Sequence, residues 1–296
     1  MIGAEGLFNY YLYVHKDILE ELLQVKLTNP VLEKHYKTES SYRKVDIVFN
    51  TITDRKVFVE TQLGKSDKKH LSQVIDNIEN VADEGDIIVW IAKKFSTSMI
   101  KLIEEKNMYI NKEKKISFYA LTINEDAFGV LYYLYDKGNK YATENIGELA
   151  NVDKLLEIYK EINQQDNRNN MLENINFYIK ESIKDNYKFH FSRLINNYQM
   201  FYGSSRSDIT YYISISKIGK VRIALFFAPC EAERFNNIIE QYKQIRTKSN
   251  MDISLTSKTR TIAYDIDYEV NTMQDCRKVA EAFTKFYYSM QKYISI

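Results

Sequence analysis

Residues 44–62 read KVDIVFNTITDRKVFVETQ, and their pattern decides the first domain. Lys44 to Phe49 alternates as a strand does, with Val45, Ile47 and Phe49 predicted on one face and Asp46 and Val48 on the other. Lys56 to Gln62 repeats this, setting Val57, Val59 and Thr61 against Phe58, Glu60 and Gln62. Thr51 to Arg55 between them is short, polar and suited to an antiparallel hairpin. A turn centred there faces residue 50 with 56 and therefore 46 with 60, bringing two carboxylates onto one face with Cβ atoms about 5 Å apart. A slip of one residue would destroy that geometry.

The flanking sequence extends the pattern. Upstream, Ile18, Leu19, Leu22, Leu23 and Leu27 recur at helical spacing and predict a helix over Val14 to Leu27, ended by Pro30. Downstream, Ser66 is the expected N-cap and Asp67 lies in the first turn of a helix with a Leu71, Val74, Ile75, Ile78, Val81 stripe. Asp86 to Ala92 is almost wholly apolar, as a strand covered on both faces must be. A helix over Ser98 to Glu105 and a strand over Ile116 to Ile123 complete an α/β (α+β) domain with a mixed sheet flanked by helices, spanning 1–125. Residues 126–151, polar from Asp136 onward with Gly138 and Gly147, are predicted as a linker region.

Residues 152–296 read as a second α+β domain for recognition or dimerisation. Its expected elements are a hairpin of Ile209 to Ser216 with Val221 to Phe227, a helix over Glu231 to Arg246, a strand over Arg260 to Tyr268, and a last helix striped by Val279, Phe283, Phe286, Tyr287 and Met290.

Composition excludes several classes of function. The 41 basic and 40 acidic residues leave a net charge of +1, so a nucleic-acid surface has to be local. Arg234, Lys243, Arg246, Lys248, Lys258 and Arg260 are candidates for one, against the plainer reading of solvated charge. Cys230 and Cys276 form neither a disulfide framework nor a four-thiolate zinc site, and His15, His35 and His190 lack partners at metal-ligand spacing. No apolar run approaches the ~20 residues of a membrane span; a cytoplasmic protein without a leader is expected. Gly64-Lys65-Ser66 lacks the glycine-rich loop of a nucleotide-binding motif. The 24 tyrosines could stack on bases, but they accompany many Lys, Asn and Ile residues, as an A/T-rich coding sequence would produce.

Asp is disfavoured inside strands, and two facing carboxylates repel unless a cation lies between them. Hydrolysis of a phosphodiester needs a hard cation held by one or two carboxylates, and Asp46 and Glu60 with the Thr61 backbone carbonyl fit such a site. The segments VDIVF, VFVETQLGKSDKKHLSQVI and DIIVWIA resemble the PD-(D/E)XK nuclease superfamily, in a branch with Gln in place of the motif Lys and a following TDHxHLGQ-like segment, here Lys65 to Gln73. Leu225 to Arg246 and Lys258 to Tyr268 resemble a domain of uncharacterised function that often follows such nucleases.

The resemblance implies a restriction-endonuclease-like fold and a DNA endonuclease of bacterial defence using Mg2+, with Mn2+ able to substitute. It implies Asp46 and Glu60 as metal ligands, Gln62 in the place of the usual Lys, and an acidic ligand on the N-terminal helix, for which Glu20 and Glu21 are the candidates. His70 and Gln73 have equal claims as active-site groups and as the polar flank of a helix; Lys65, Lys68 and Lys69 could supply the missing cation. DNA, a homodimeric copy and a defence-system partner are the implied partners. The alternative is a catalytically silent nuclease fold serving as a binding module.

Overall fold

The computed structural model describes residues 3–37, 42–114, 116–162, 168–183, 191–192 and 198–294. His190 lies outside them. The chain divides into two compact units, Met1–Gln165 and Asp166–Ile296.

In the first unit α1 (Ala4–Val14) and α2 (Asp17–Leu23) precede β1 (Leu27–Lys37), β2 (Tyr42–Thr51) and β3 (Lys56–Lys65). Then come α3 (Lys68–Asn80), β4 (Ile87–Lys94), α4 (Thr97–Lys114), β5 (Ser117–Ile123), α5 (Glu125–Asp136), α6 (Asn139–Asn145), a 3-10 turn (Ile146–Asn151) and β6 (Leu156–Ile162). The six strands lie in sequence order; β3, β4 and β5 are parallel neighbours and the remaining pairs are antiparallel. The expected mixed sheet between helical layers therefore forms. Ile87, Val89 and Ile91 of β4 pack on one side with α1, α2 and α5, while Ile88, Trp90 and Ala92 pack on the other with α3 and α4. That is why its sequence is apolar throughout.

Several boundaries differ from expectation. The helix expected over Val14 to Leu27 is only α2; it stops at Leu23, where Gln24 turns left-handed, and Leu27 opens β1. Pro30 ends no helix. It sits in edge strand β1 where the register shifts between Thr28 and Val31, a position that tolerates a missing N–H. The N-cap of α3 is Asp67, whose side chain accepts from the His70 backbone N–H, rather than Ser66. The expected linker over 126–151 is instead α5, α6 and the 3-10 turn, and Ala127, Leu131, Leu134, Ala142 and Leu149 are buried in the first unit's core.

The second unit contains α7 (Arg168–Ser182), β7 (Phe191–Ser192), β8 (Gln199–Gly203), β9 (Ile209–Ile215), β10 (Lys220–Phe227), α8 (Ala232–Glu240), α9 (Tyr242–Ser249), β11 (Ile253–Thr256), β12 (Thr261–Glu269) and α10 (Met273–Ile294). Its antiparallel sheet runs β11-β12-β10-β9-β8-β7. The β9–β10 hairpin and the last helix form as expected, whereas the single helix expected over Glu231 to Arg246 breaks at Gln241. Tyr202 and Tyr211 pack against Phe283, and Tyr211 also meets Phe286 and Tyr287. The core aromatics of α10 thus pack over the alternate inward positions of β8 and β9. Cys276 is buried in this core and Cys230 is exposed.

Candidate active site

The β2–β3 hairpin adopts the expected register, with Asn50 facing Lys56, Phe49 facing Val57, Val48 facing Phe58 and Ile47 facing Val59. Thr51 N–H to Arg55 O at 2.7 Å and Asp54 N–H to Thr51 O at 3.1 Å close the turn, with Asp54 left-handed at φ 61°. The paired ladder ends at Ile47 and Val59, one residue short of the two carboxylates.

Strict alternation also fails at Asp46. Val45 packs with Val48 and Phe58 on the α3 side, while Ile47 and Phe49 pack with the α1 side, so the three do not share a face. Glu33, which falls opposite Asp46 between the Leu32–Ile47 and Lys34–Val45 pairs, is left-handed at φ 49°. At this irregularity the Asp46 carboxylate turns to β3, accepting from the Thr61 backbone N–H at 2.9 Å and from Thr61 Oγ1 at 3.1 Å. In a strand the N–H and C=O of one residue point to the same side, so the Thr61 carbonyl is directed toward Asp46 as well.

Glu60 lies on the same face as Phe58 and accepts a 2.6 Å hydrogen bond from Asn77 Nδ2 of α3. Its pKa is pushed up to about 9, first by burial and then by the charge of Asp46, whose carboxyl is within hydrogen-bonding reach; Asn77 opposes the rise. Glu5 of α1 joins this acidic group. It accepts from the Leu63 N–H at 3.4 Å, and burial and Asp46 raise its pKa. Asn9, also on α1, is buried with its Oδ1 2.6 Å from Thr61 Oγ1, whose one hydrogen is shared between Asn9 and Asp46. The first helix thus supplies two polar groups to the centre.

Gln62 is buried, with only 6% of its surface exposed. Its Nε2 donates to the Lys65 carbonyl at 2.7 Å and to Asp67 Oδ2 at 2.7 Å. Both partners are acceptors, which fixes the amide orientation and leaves Oε1 buried without a partner. Asp67 Oδ2 also meets His70 Nδ1 at 2.9 Å, and Asp67 Oδ1 accepts from the His70 backbone N–H at 2.9 Å. Lys65, Lys68, Lys69 and Gln73 are exposed. Gln73 lies one turn from both His70 and Asn77 on α3.

Glu20 is not at this centre. It is a buried residue of α2, accepting from Lys16 and Lys26, each at 2.7 Å, and from the Leu27 N–H at 3.0 Å. Burial alone would raise its pKa, but these three donors outweigh it and hold the pKa below the ordinary value. Glu21 is exposed and lines a cleft of about 410 Å³ with Tyr11, His15, Asp17 and Lys154. The N-terminal carboxylate at the centre is Glu5 instead. Sequence reading missed Glu5 and Asn9 together with α1, although Leu7, Phe8, Tyr11 and Leu12 carry a helical period. Asn77 was legible as a polar residue beside the apolar stripe of α3.

Among the described residues no group of three or more His, Cys, Asp or Glu converges closely enough to cage a cation. The donor set fits a different arrangement: two adjoining carboxyl groups and a backbone carbonyl, all hard oxygens, with water completing the shell. Mg2+ commonly takes this form. In the second unit Arg234 is paired with Glu231 and donates to the Ile294 carbonyl, Arg260 donates to the Phe227 carbonyl, and Arg246 is paired with Asp252. Of the six basic residues considered there, Lys243, Lys248 and Lys258 are left exposed without such ties.

Among the described residues no helix is long and apolar enough to cross a membrane. No family model matches the chain, and no curated protein matches it. Among solved structures it is similar to a repair endonuclease from Pyrococcus abyssi, at 18% identity and a TM-score of 0.28. The match covers 39% of this chain and 45% of that one, so the chain spans less than half of the structure it resembles.

Proposed function

We propose that the first unit is a nuclease domain hydrolysing DNA phosphodiester bonds with a divalent cation held by Asp46, Glu60 and the Thr61 carbonyl. One observation carries this reading: two carboxyl groups from adjacent strands meet at the end of a ladder, where burial and the charge of Asp46 push the Glu60 pKa up to about 9. A cation there would replace the Glu60 proton. Mg2+ fits the all-oxygen donor set and Mn2+ would substitute; when bound, such an ion supplies charge neutralisation at phosphate and a more acidic water. Asn77 orients the Glu60 carboxyl, and Thr61 fixes that of Asp46.

The choice of DNA and a role in bacterial defence rest on the sequence resemblance. In this reading the second unit recognises DNA, a defence partner or a second copy, because double-strand cleavage needs two active sites. The silent binding module remains the second reading. It is favoured by Gln62, a neutral residue whose amide nitrogen is already committed to Lys65 and Asp67.

Incubation of the full chain with supercoiled plasmid and Mg2+ or Mn2+ tests the two readings. The nuclease reading expects nicking or linearisation that EDTA stops and Asp46→Ala abolishes, together with Mn2+ binding that the variant loses. A wild type that neither cuts DNA or RNA nor binds the cation leaves the silent module.

A further inference from the structure

Three side chains beside the carboxylates form a connected chain that the ligand set does not use: Gln62, Asp67 and His70. Asp67 joins the other two through one oxygen, accepting from Gln62 Nε2 at 2.7 Å and lying 2.9 Å from His70 Nδ1. A carboxylate has only lone pairs to offer, so the hydrogen in the second contact belongs to Nδ1. The imidazole Nε2 is thereby left as the nitrogen that can take up a proton. The same carboxylate, with the Lys65 carbonyl, consumes both hydrogens of the Gln62 amide and leaves Oε1 as a buried acceptor without a partner. One residue thus presents two acceptors from β3 and α3. Gln62 follows Glu60 by two residues on β3, so the shared Asp67 oxygen ties the imidazole to the same strand end as that carboxyl.

We infer that His70 is the general base for the attacking water, that Gln62 Oε1 orients that water, and that Asp67 is the positioning residue for both. The inference rests on the nuclease reading and deepens it. In the step, a water proton passes to His70 Nε2, the water oxygen forms the new bond to phosphorus, and the ester P–O bond breaks, its leaving oxygen taking a proton from solvent. A neutral amide cannot accept that proton, so a base beside Gln62 answers the absence of the lysine found in related sites. Geometry of this kind, a base held in one tautomer by a carboxylate, is a general device for proton transfer.

Asp67→Asn tests the assignment because Asn is also a good N-cap and preserves the start of α3. Its amide can present a donor where Oδ2 accepted, which opposes the Gln62 amide and the Nδ1 hydrogen alike. Histidine-labelled full-length protein would be followed by 15N NMR, and plasmid cleavage with Mg2+ would be timed under single turnover. The wild type is expected to show His70 protonated at Nδ1, and Asp67→Asn to lose that signature. Both Asp67→Asn and His70→Ala should slow cleavage by about 100-fold or more, with DNA affinity changed little. The double variant should be no slower than His70→Ala.

A wild type that cuts while either variant cuts within about threefold of it overturns the base assignment and leaves the nuclease standing. His70 protonated at Nε2 in the wild type overturns the positioning role directly, whatever the activity. A wild type that cuts nothing and binds no Mn2+ removes both readings together.

Discussion

Glu60 keeps its proton in the folded chain to about pH 9, whereas an ordinary glutamate loses it near 4.5. The folded state therefore binds the extra proton throughout that interval. Stability is highest below the unfolded value and declines as pH rises toward the folded one, because the native state must then either stay protonated against the solvent or charge a buried group. Glu60→Gln keeps the Asn77 contact and removes the titration. We expect the variant to match wild type near pH 4 and to exceed it at pH 8.5 by more than about 1 kcal/mol in urea unfolding, without metal. Added Mn2+ should reverse the order at pH 8.5, since only wild type can exchange its proton for the cation. Equal pH slopes in the two proteins would mean that Glu60 ionises normally.

Among the elements, α2 and β1 meet at Glu20, whose partners are Lys16 from the N-terminal end of the helix and Lys26 from beyond its C-terminal end. Its lowered pKa gives the opposite sign from Glu60: the contribution is present above the ordinary carboxylate value and is lost as pH falls through the folded one. Glu20→Gln should destabilise the fold by about 2 kcal/mol at pH 7 and leave Mn2+ affinity unchanged. A loss of cation binding without a loss of stability would instead return Glu20 to the metal site.

The sequence was most legible where one residue's neighbours constrain it most. The β2–β3 register that leads up to Asp46 and Glu60 followed from the length of the turn, and β4 from its apolar run. The α1 helix was hidden because its buried face is built of aromatics interrupted by Asn9, a polar group whose partner Thr61 lies 52 residues away. Pro30 misled because an edge strand and a helix stop make the same local demand, a missing N–H. The break in alternation at Asp46 lies opposite left-handed Glu33 of β1, a strand whose opening Pro30 disguises in the sequence. Asp67 was assigned to the helix's first turn because capping by Ser66 or Asp67 looks alike until the β3–β4 register fixes the turn.

For the whole molecule, the relevant boundary is near residue 165 rather than 125. A fragment of residues 1–165 contains the whole first core, while residues 1–125 lack Leu131, Leu134, Ala142 and Leu149 and leave β5 without its β6 neighbour. Each lost leucine forfeits about 1.5–3 kcal/mol of burial, in sum comparable to the whole stability of an ordinary domain. The longer fragment should melt cooperatively, reported by Trp90, the chain's single tryptophan, which is fully buried against Phe95. The shorter one should show solvent-exposed emission at all temperatures. Matching melts for the two fragments would contradict the boundary.

The two cysteines carry a consequence for kinetics. Cys230 is open to solvent, whereas Cys276 is fully buried in α10 and burial pushes its thiol up to about 12. A thiol-reactive dye should therefore modify the first at once and wait for the second. The delay is set by how often α10 lifts from its sheet, which makes the rate of the second labelling a clock for the opening of this unit, independent of anything that happens around Trp90.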